Sequence, residues 1–302
     1  MKWNPLRSAC VATLMSSIAM MHPCASRAQQ AAKSPVELVR LTVQREIASS
    51  NSNTRVMFTD RKTTPHGSQT KLLVETREGM AGMVVANNDA VLSSQQRLAE
   101  QARLAMMTSN PEELKKKQRT EKEDSERVTR IMKALPDAFL YEADGSENGT
   151  QEVGGEGKAL IRLKFRPNPA YSPPSRVEQV LTGMQGQLLI DSQQHRIAKI
   201  DGTLGRDVSF GWGILGHLDK GGRFLVEQAE VTKEDWEITR MNLSFTGKVL
   251  LFKSLNIKSD ETFSDFQRVP GNLSFKEGVE LLKQKAAEFL VSQPQPANSK
   301  PQ

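Results

Sequence analysis

The chain has little cysteine: its two cysteines, Cys10 and Cys24, both lie near the amino terminus. We predict below that this segment is removed as a signal peptide, which leaves a mature chain without cysteine. Such a chain forms no disulfide, has no thiol nucleophile and offers no thiolate ligand to a metal ion. Its fold must therefore depend on a packed core, which a chain of about 270 residues is long enough to bury.

Residues 1–28 have the order of charge and hydropathy that is typical of a secretory signal peptide. Residues 1–7 carry two basic side chains and no acid, and residues 8–21 are a largely apolar run. This run is shorter than the roughly 20 residues that a membrane-spanning helix needs. Because Ser26 and Ala28 are small, we predict cleavage after Ala28. We therefore expect export to the periplasm or to the periphery of the outer membrane.

Neither a lipid anchor nor a nucleic-acid partner is indicated. Met21-His22-Pro23 precedes Cys24, whereas lipid attachment to a cysteine favours small residues just before it. The whole chain has 41 Lys+Arg and 35 Asp+Glu, and three of the basic residues lie in the predicted signal peptide. That leaves 38 against 35, a net charge of +3, without a basic stripe. This charge is too small to predict nucleic-acid binding.

Residues with the spacing of a metal or catalytic site are also lacking. The mature chain has three histidines, His66, His195 and His217, and no two of them are spaced as ligands on one helix or strand. The Gly-x-Ser-x-Gly pattern of a hydrolase is absent, and residues 154–157 lack the Lys-Ser/Thr pair of a phosphate-binding loop. We predict no metal, no cofactor and no catalytic residue, hence a protein that is not an enzyme.

Asp191 and Asp201 come nearest to a catalytic pair, since both lie at ends of a predicted hairpin. Acids at strand ends are usually turn formers, and we interpret both in this way. A hydrolase assembled from distant residues remains a third hypothesis. Single replacement of Asp191, Asp201 and His217 would test it.

The first third of the mature chain combines helices and strands. Residues 34–47 are predicted as a helix, because Ser34 and Glu37 form a capping box and apolar residues recur at helical spacing. Strands are predicted at 54–59, 71–77 and 82–86, and the sequence leaves open whether they join the main sheet. Two helices, 94–107 and 111–135, form a charged insertion over 94–135.

From residue 158 onwards the sequence predicts an antiparallel sheet. Polar, glycine-rich residues 144–157 are interpreted as a loop. Apolar and polar residues alternate over 158–166, which is typical of a strand with one buried and one solvated face. The following strands are separated by short connections, which predicts that they form an antiparallel meander: 188–191, 196–201, 206–212, 223–231, 236–245, 248–257 and 262–268. A capped helix at 274–290 and a flexible tail at 292–302 follow.

The stretch 158–270 carries a family resemblance. The resemblance lies first in a repeated pattern of a strand, an acid and a strand of basic and apolar residues, which is seen in 187–191 and 196–202. The later strands of such sheets are matched by 236–238 and 248–252. In these features the chain resembles the lipoprotein-sorting, LolA/LolB-like class of envelope proteins. The resemblance implies an α+β fold in which a strongly curved antiparallel sheet, a half-barrel, is covered by N- and C-terminal helices. The charged insertion departs from a minimal member of that class.

A sheet with an apolar face, covered by helices, leaves room for an apolar ligand. We therefore predict a non-enzymatic carrier, formed by one domain over 29–291, that holds a lipid or the acyl chains of a lipoprotein. Transient contact with a membrane surface would accompany loading or release. The predicted lining residues are Phe165, Ile190, Phe210, Trp212, Ile214, Phe224, Met241 and Leu243. For each of them, a place in a packed core is the competing interpretation.

A second hypothesis assumes a filled sheet core. The protein would then be an envelope interaction module that uses the charged helix 111–135 to contact another protein. Deletion of this helix would abolish the function of such a module, whereas it would leave ligand binding by a carrier largely intact.

Overall fold

The computed structural model describes residues 33–50, 52–210, 215–232, 235–249 and 253–292. The predicted signal peptide and the predicted tail after residue 292 lie outside these residues. In the described ranges, no helix combines the length and the apolar character that crossing a membrane requires.

One antiparallel sheet organises the described residues, which confirms the α+β class. Its thirteen strands are β1 (Arg55–Thr64), β2 (Gly67–Thr76), β3 (Gly79–Asn87), β4 (Ala90–Val91), β5 (Phe139–Asn148), β6 (Ala159–Pro167), β7 (Met184–Asp191), β8 (Ile197–Leu204), β9 (Val208–Phe210), β10 (Gly216–Leu218), β11 (Arg223–Thr232), β12 (Asp235–Val249) and β13 (Lys253–Val269). Their order is β4-β3-β2-β1-β13-β12-β11-β8-β7-β6-β5, and β10 joins β9 to β12.

The three N-terminal strands belong to this same sheet. β1 pairs with β13 from Arg55 opposite Val269 to Thr63 opposite Asp260. This pairing between the two ends of the chain joins the first hairpins to the meander, and it answers the question that the sequence left open.

Within the described ranges, five helices accompany the sheet: α1 (Pro35–Ser50), α2 (Ser94–Ser109), α3 (Pro111–Ala138), α4 (Arg176–Gln179), which continues into a 3-10 turn (Val180–Gly183), and α5 (Phe275–Ser292). The capping boxes predicted for the first and last helices are confirmed. Glu37 accepts a hydrogen bond from the backbone N–H of Ser34 at 2.9 Å, and Glu277 accepts one from that of Ser274 at 2.8 Å.

Two main hydrophobic cores lie on different parts of the sheet. In the first, Val39 and Val43 of α1 pack with Leu163 and Ile190 of β6 and β7. In the second, residues of α5 such as Leu282 pack with side chains of β1, β2 and β3. The helices predicted at the two ends of the chain therefore each bury an apolar face.

The loop predicted at 144–157 is wrong over its first residues, because β5 extends through Asn148. Phe139 fixes the strand by packing into the first core, and its exposed fraction is 5%. The pairing with β6 is irregular between Ala143 and Ser146, where Gly145 has a φ of +89°. The exposed residues of this edge strand show no alternation, so periodicity did not reveal it.

The solvated face predicted for β6 is also only partly correct. The alternation over 158–166 places Leu160 on that face, but its exposed fraction is 0%. It packs with Leu189, Ala198 and Trp236 in a small third core. The β6 strand is therefore buried on both faces where Trp236 covers it.

The sequence predicts a turn at Thr246-Gly247, between the predicted strands 236–245 and 248–257, but this is wrong because both residues lie inside β12. A Cβ atom at Gly247 would lie 2.1 Å from the backbone oxygen of His217 in β10. The glycine is needed for this close approach between two strands, a role that glycine has in strands as well as in turns. The break predicted between 257 and 262 is also wrong, since β13 is continuous there.

Side chains of the charged insertion form hydrogen bonds with backbone groups of the edge strand β3. Glu100 of α2 accepts a hydrogen bond from the Val84 N–H at 2.8 Å, and Arg103 donates to the Gly82 carbonyl at 2.7 Å. Glu121 of α3 accepts one from the Met80 N–H at 3.2 Å. Exposed backbone groups on an edge strand promote association with other chains, so these side chains protect the sheet.

Candidate functional site

One face of the sheet changes from apolar to charged across its width. Residues that lie directly opposite each other in antiparallel strands share a face. The pairings define one row across eight strands: Leu163, Leu188, Ile200, Val226, Met241, Glu261, Lys62 and Gln69. We call this face the inner face. It is apolar from β6 to β12, and its first residues belong to the core under α1.

A group of large apolar side chains on this face lies beyond that core. We call it the open apolar patch, and its members are Phe58, Leu73, Met241, Leu243 and Phe263. All five are half-buried, and none belongs to the core clusters formed by the described residues. The ring centroids of Phe58 and Phe263 are 6.0 Å apart. Adjacent, partly exposed apolar side chains of this kind typically mark a binding surface.

A side cavity of about 360 Å³ adjoins the patch at Leu73. Lys71 and Val84 contribute to its wall from the inner face, and Met107 and Lys117 contribute from α2 and α3. The charged insertion therefore builds part of the site as well as protecting the sheet edge.

A charged cleft of about 610 Å³ lies at the other end of the patch, where α1 ends. Glu75 connects the two, since it is two residues from Leu73 on β2 and therefore on the same face. The cleft lining is polar: Glu46, Ser49, Ser50, Ser52, Thr54, Arg55, Glu75, Arg196, Asp235, Trp236, Glu237 and Arg268.

A buried ion pair joins α1 to the sheet at this cleft. Both nitrogens of the Arg196 fork donate to Glu46 at 2.9 Å, and the exposed fractions of the two side chains are 10% and 11%. The N–H of Ile197 also donates to Glu46 at 2.7 Å, and the Arg196 guanidinium lies 5.7 Å from the centre of the Trp236 ring. Removal of either partner would leave a buried charge without compensation.

The acids in the cleft have different proton affinities. Burial, followed by the negative charges of Glu75 and Asp235, raises the pKa of Glu237 to about 7. Burial also raises the pKa of Glu75, although the N–H of Val56 opposes this by hydrogen bonding. Burial acts in the same direction on Asp235, but hydrogen bonds from Arg268 and Thr232 lower its pKa. With a pKa of about 7, Glu237 changes charge near neutral pH.

The inner face also carries charged groups next to the apolar patch. Lys62 of β1 pairs with Glu261 of β13 at 2.5 Å, and Glu261 and the neighbouring Asp60 are both buried. Charged groups at this depth are uncommon unless they are paired or contact a ligand.

The structure separates the sequence-predicted site residues into three groups. Phe165 and Ile190 are buried in the α1 core, and Phe210 and Phe224 are half-buried against it. Met241 and Leu243 lie in the open apolar patch, so the structure places them together. Trp212 and Ile214 lie outside the described residues. Whether any of the eight contacts a ligand stays a prediction.

The residues that sequence reasoning missed are those of β1, β2 and β13. The spacing of Phe58, Asp60 and Lys62 is that of residues on one face of a strand, but the sequence did not indicate that β1 joins the main sheet. Leu73 was missed for the same reason, and Phe263 because the pairing of β13 was unknown. No local signal marks these residues, because 56–62 begins with three apolar residues and continues with polar ones. The strand pairing alone shows that every second side chain lies on the inner face.

In the described part of the chain, Asp191, Asp201 and His217 each have partners close by in the fold. No group of three potential metal ligands occurs there. Asp191 accepts the backbone N–H groups of Gln193 and Gln194, which confirms that it forms a turn. Asp201 lies inside β8, where it pairs with Arg223, so its interpretation as a turn former is wrong. His217 lies 3.2 Å from Asp219.

Comparison with known proteins gives no match to a family model, a curated protein or a solved structure. The resemblance to the LolA/LolB-like class therefore stays a prediction, and the function has to be argued from the geometry of the site.

Proposed function

We propose that this protein is an exported, non-enzymatic carrier that binds the acyl chain of a lipid or a lipoprotein on the inner face of a half-barrel sheet. The observation that carries the proposal is the open apolar patch. Phe58 lies directly opposite Leu73 and 6.0 Å from the ring of Phe263, and Met241 and Leu243 share this face on β12. All five side chains are left partly exposed. A buried methylene contributes about 0.8 kcal/mol, so a patch of this size can hold a chain without a covalent bond.

The path of α3 supports a strongly curved sheet. Glu121 of α3 bonds to β3, and Ala138 at its end directly precedes β5. Seventeen residues separate these two points, which is about 26 Å along a helix. In a flat sheet, β3 and β5 would be nine strand spacings apart, or roughly 43 Å. A sheet that curls towards α3 would bring β3 and β5 within reach of this helix, so the path of α3 supports the proposed half-barrel.

Two opposed glycines give further support to the curvature. Gly186 of β7 and Gly202 of β8 face each other in the pairing, between Phe165 on one side and Phe224 on the other. A Cβ at Gly186 would lie 1.9 Å from the backbone oxygen of Asp201. Paired glycines at facing positions allow a sheet to bend sharply, as half-barrels require.

A fluorescent apolar probe tests the proposal. N-Phenylnaphthylamine should brighten when it binds to the protein, and dodecanol should displace it. Met241→Glu should weaken probe binding about tenfold or more, because it places a charge inside the patch. Leu140→Glu is the matched control, since this β5 residue is 38% exposed and lies outside the patch. Equal probe binding by the wild type, Met241→Glu and Leu140→Glu would reject the patch as the ligand site.

The interaction module remains the second candidate, and one observation favours it. Residues 122–128 of α3 are all exposed, and Val128 has an exposed fraction of 60%. Deletion of the whole helix would not separate the two functions, because Glu121 protects the β3 edge and the end of α3 packs in a core. Replacement of 122–128 by alanine is the sharper test. Loss of function with unchanged probe binding would favour the module.

A further inference from the structure

Asp60 occupies an unusual position at the margin of the open apolar patch. It lies in the middle of β1, and only 7% of it is exposed. On the inner face it is directly opposite Phe263 on one side and Lys71 on the other. Phe58 and Lys62 precede and follow it on the same face of the strand. Asp60 is therefore located between the patch and the side cavity, which Lys71 lines.

One oxygen of this carboxyl group has no partner. Oδ1 of Asp60 is buried and accepts no hydrogen bond from any described residue. Buried acceptors almost always receive a hydrogen bond in folded proteins, because an acceptor without one has lost its hydration and gained nothing in its place. The free-energy cost of burial without a hydrogen bond is larger for a carboxylate than for a neutral group. The position therefore requires a donor that this part of the chain does not supply.

The neighbouring charges do not fill this role. Lys62, the nearest cation on β1, pairs with Glu261. Lys71 lowers the pKa of Asp60 through space, but no hydrogen bond joins the two residues. The larger influences are burial and then the charge of Glu261, both of which raise the pKa of Asp60.

We propose that Asp60 is the polar anchor of the ligand site and accepts a hydrogen bond from a hydroxyl or ammonium group on the head of a bound amphiphile. This inference rests on the proposed function, since the acyl chain of the same molecule would lie on the open apolar patch. The head group would then lie beside the side cavity. A head group that carries only acceptors, such as an ether, cannot satisfy Oδ1.

Two ligands with the same chain, one with a hydrogen-bond donor and one without, test this inference. Dodecanol and dodecyl methyl ether have the same chain, but only the alcohol can donate a hydrogen bond. We expect the wild-type protein to bind the alcohol about tenfold more tightly in probe displacement. Asp60→Ala should bind both with the wild-type affinity for the ether. Glu142→Ala, an exposed acid on β5, is the matched control and should keep the wild-type preference.

The outcomes separate the two proposals. If the wild type binds both ligands equally, Asp60 is satisfied by water and the inference is wrong, whereas the carrier function stands. If Asp60→Ala keeps the preference for the alcohol, the inference is also wrong. If neither ligand binds, the proposed function fails and the inference fails with it. The comparison of ligands on the wild type needs no variant, so a misfolded Asp60→Ala would not prevent the test.

Discussion

The two halves of the inner face follow the same strand periodicity but have different environments. Over β6 and β7, α1 packs onto the sheet, and Leu163 and Ile190 are fully enclosed in a core. Over β12, β13 and β1, Met241 and Phe263 are only half-buried and lie next to buried acids such as Asp60. Carboxylates are incompatible with a dry apolar core unless something satisfies them. The comparison therefore assigns the stable core to the first half, and the proposed function places the ligand on the second half.

The largest loss of stability is expected when the buried ion pair that joins α1 to the sheet is broken. Glu46→Ala removes one partner of the buried pair with Arg196 and the acceptor of the Ile197 N–H. We expect the free energy of unfolding to fall by about 3–5 kcal/mol, because the Arg196 charge stays buried and unpaired. Urea unfolding of the purified protein measures this change.

Arg40→Ala provides the control on the same helix. Arg40 pairs with Asp137 at 3.3 Å, but both side chains are more than half exposed. An exposed pair contributes little, so its loss should change the free energy of unfolding by less than about 1 kcal/mol. A similar loss in both variants would contradict the burial argument.

Truncation of one apolar residue in each half sharpens the comparison. Ile190→Ala should cost about 3 kcal/mol, because this side chain is 0% exposed and its removal leaves a cavity in the α1 core. Met241→Ala should cost less than about 1 kcal/mol in the free protein, since its side chain is half-buried and lies outside the core clusters. Thermal and urea unfolding measure both effects. If the Met241→Ala cost equals that of Ile190→Ala, the patch is part of the core.

A smaller effect is expected from proton binding in the charged cleft. The pKa of Glu237 is about 7 in the folded protein, against an ordinary value of 4.5. Because the folded state holds this proton more tightly, the contribution of Glu237 to stability is full at low pH and is lost as the pH rises through about 7. Glu237→Gln should therefore stabilise the protein by on the order of 2 kcal/mol at about pH 8 and have little effect at about pH 4.

Urea unfolding of wild type and Glu237→Gln across this pH range checks the sign. The cleft groups around Glu237 that also influence its charge are Glu75, Asp235 and Arg196. Glu75→Gln should reduce the stabilisation that Glu237→Gln gives at about pH 8, because it removes the neighbouring negative charge that most raises the folded pKa of Glu237. A stabilisation by Glu237→Gln that is equal at both ends of the pH range would show that its proton affinity is ordinary.

Local signals in the sequence predicted the elements well but not their partners. The capping boxes at Ser34 and Ser274 set the starts of α1 and α5, because each depends on residues within one turn of helix. Gly247 was read as a turn, since close approach by β10 cannot be seen in a local window. The pairing of β1 with β13 joins residues about 200 positions apart, and no local pattern encodes it.

The candidate site depended on that pairing. Met241 and Leu243 were predicted because β12 has a clear apolar alternation. Phe58 and Asp60 were missed, since they enter the site only when β1 lies beside β13. The absence of a partner for Asp60 Oδ1 is a property of the folded structure alone.

Native mass spectrometry of the chain exported by a bacterial host tests the central claim most directly. We predict a discrete adduct of lipid mass that denaturing extraction releases and that Met241→Glu reduces, whereas Leu140→Glu leaves it unchanged. A clean mass of the protein alone, unchanged after addition of dodecanol or phospholipid, would contradict the account of an acyl-chain carrier.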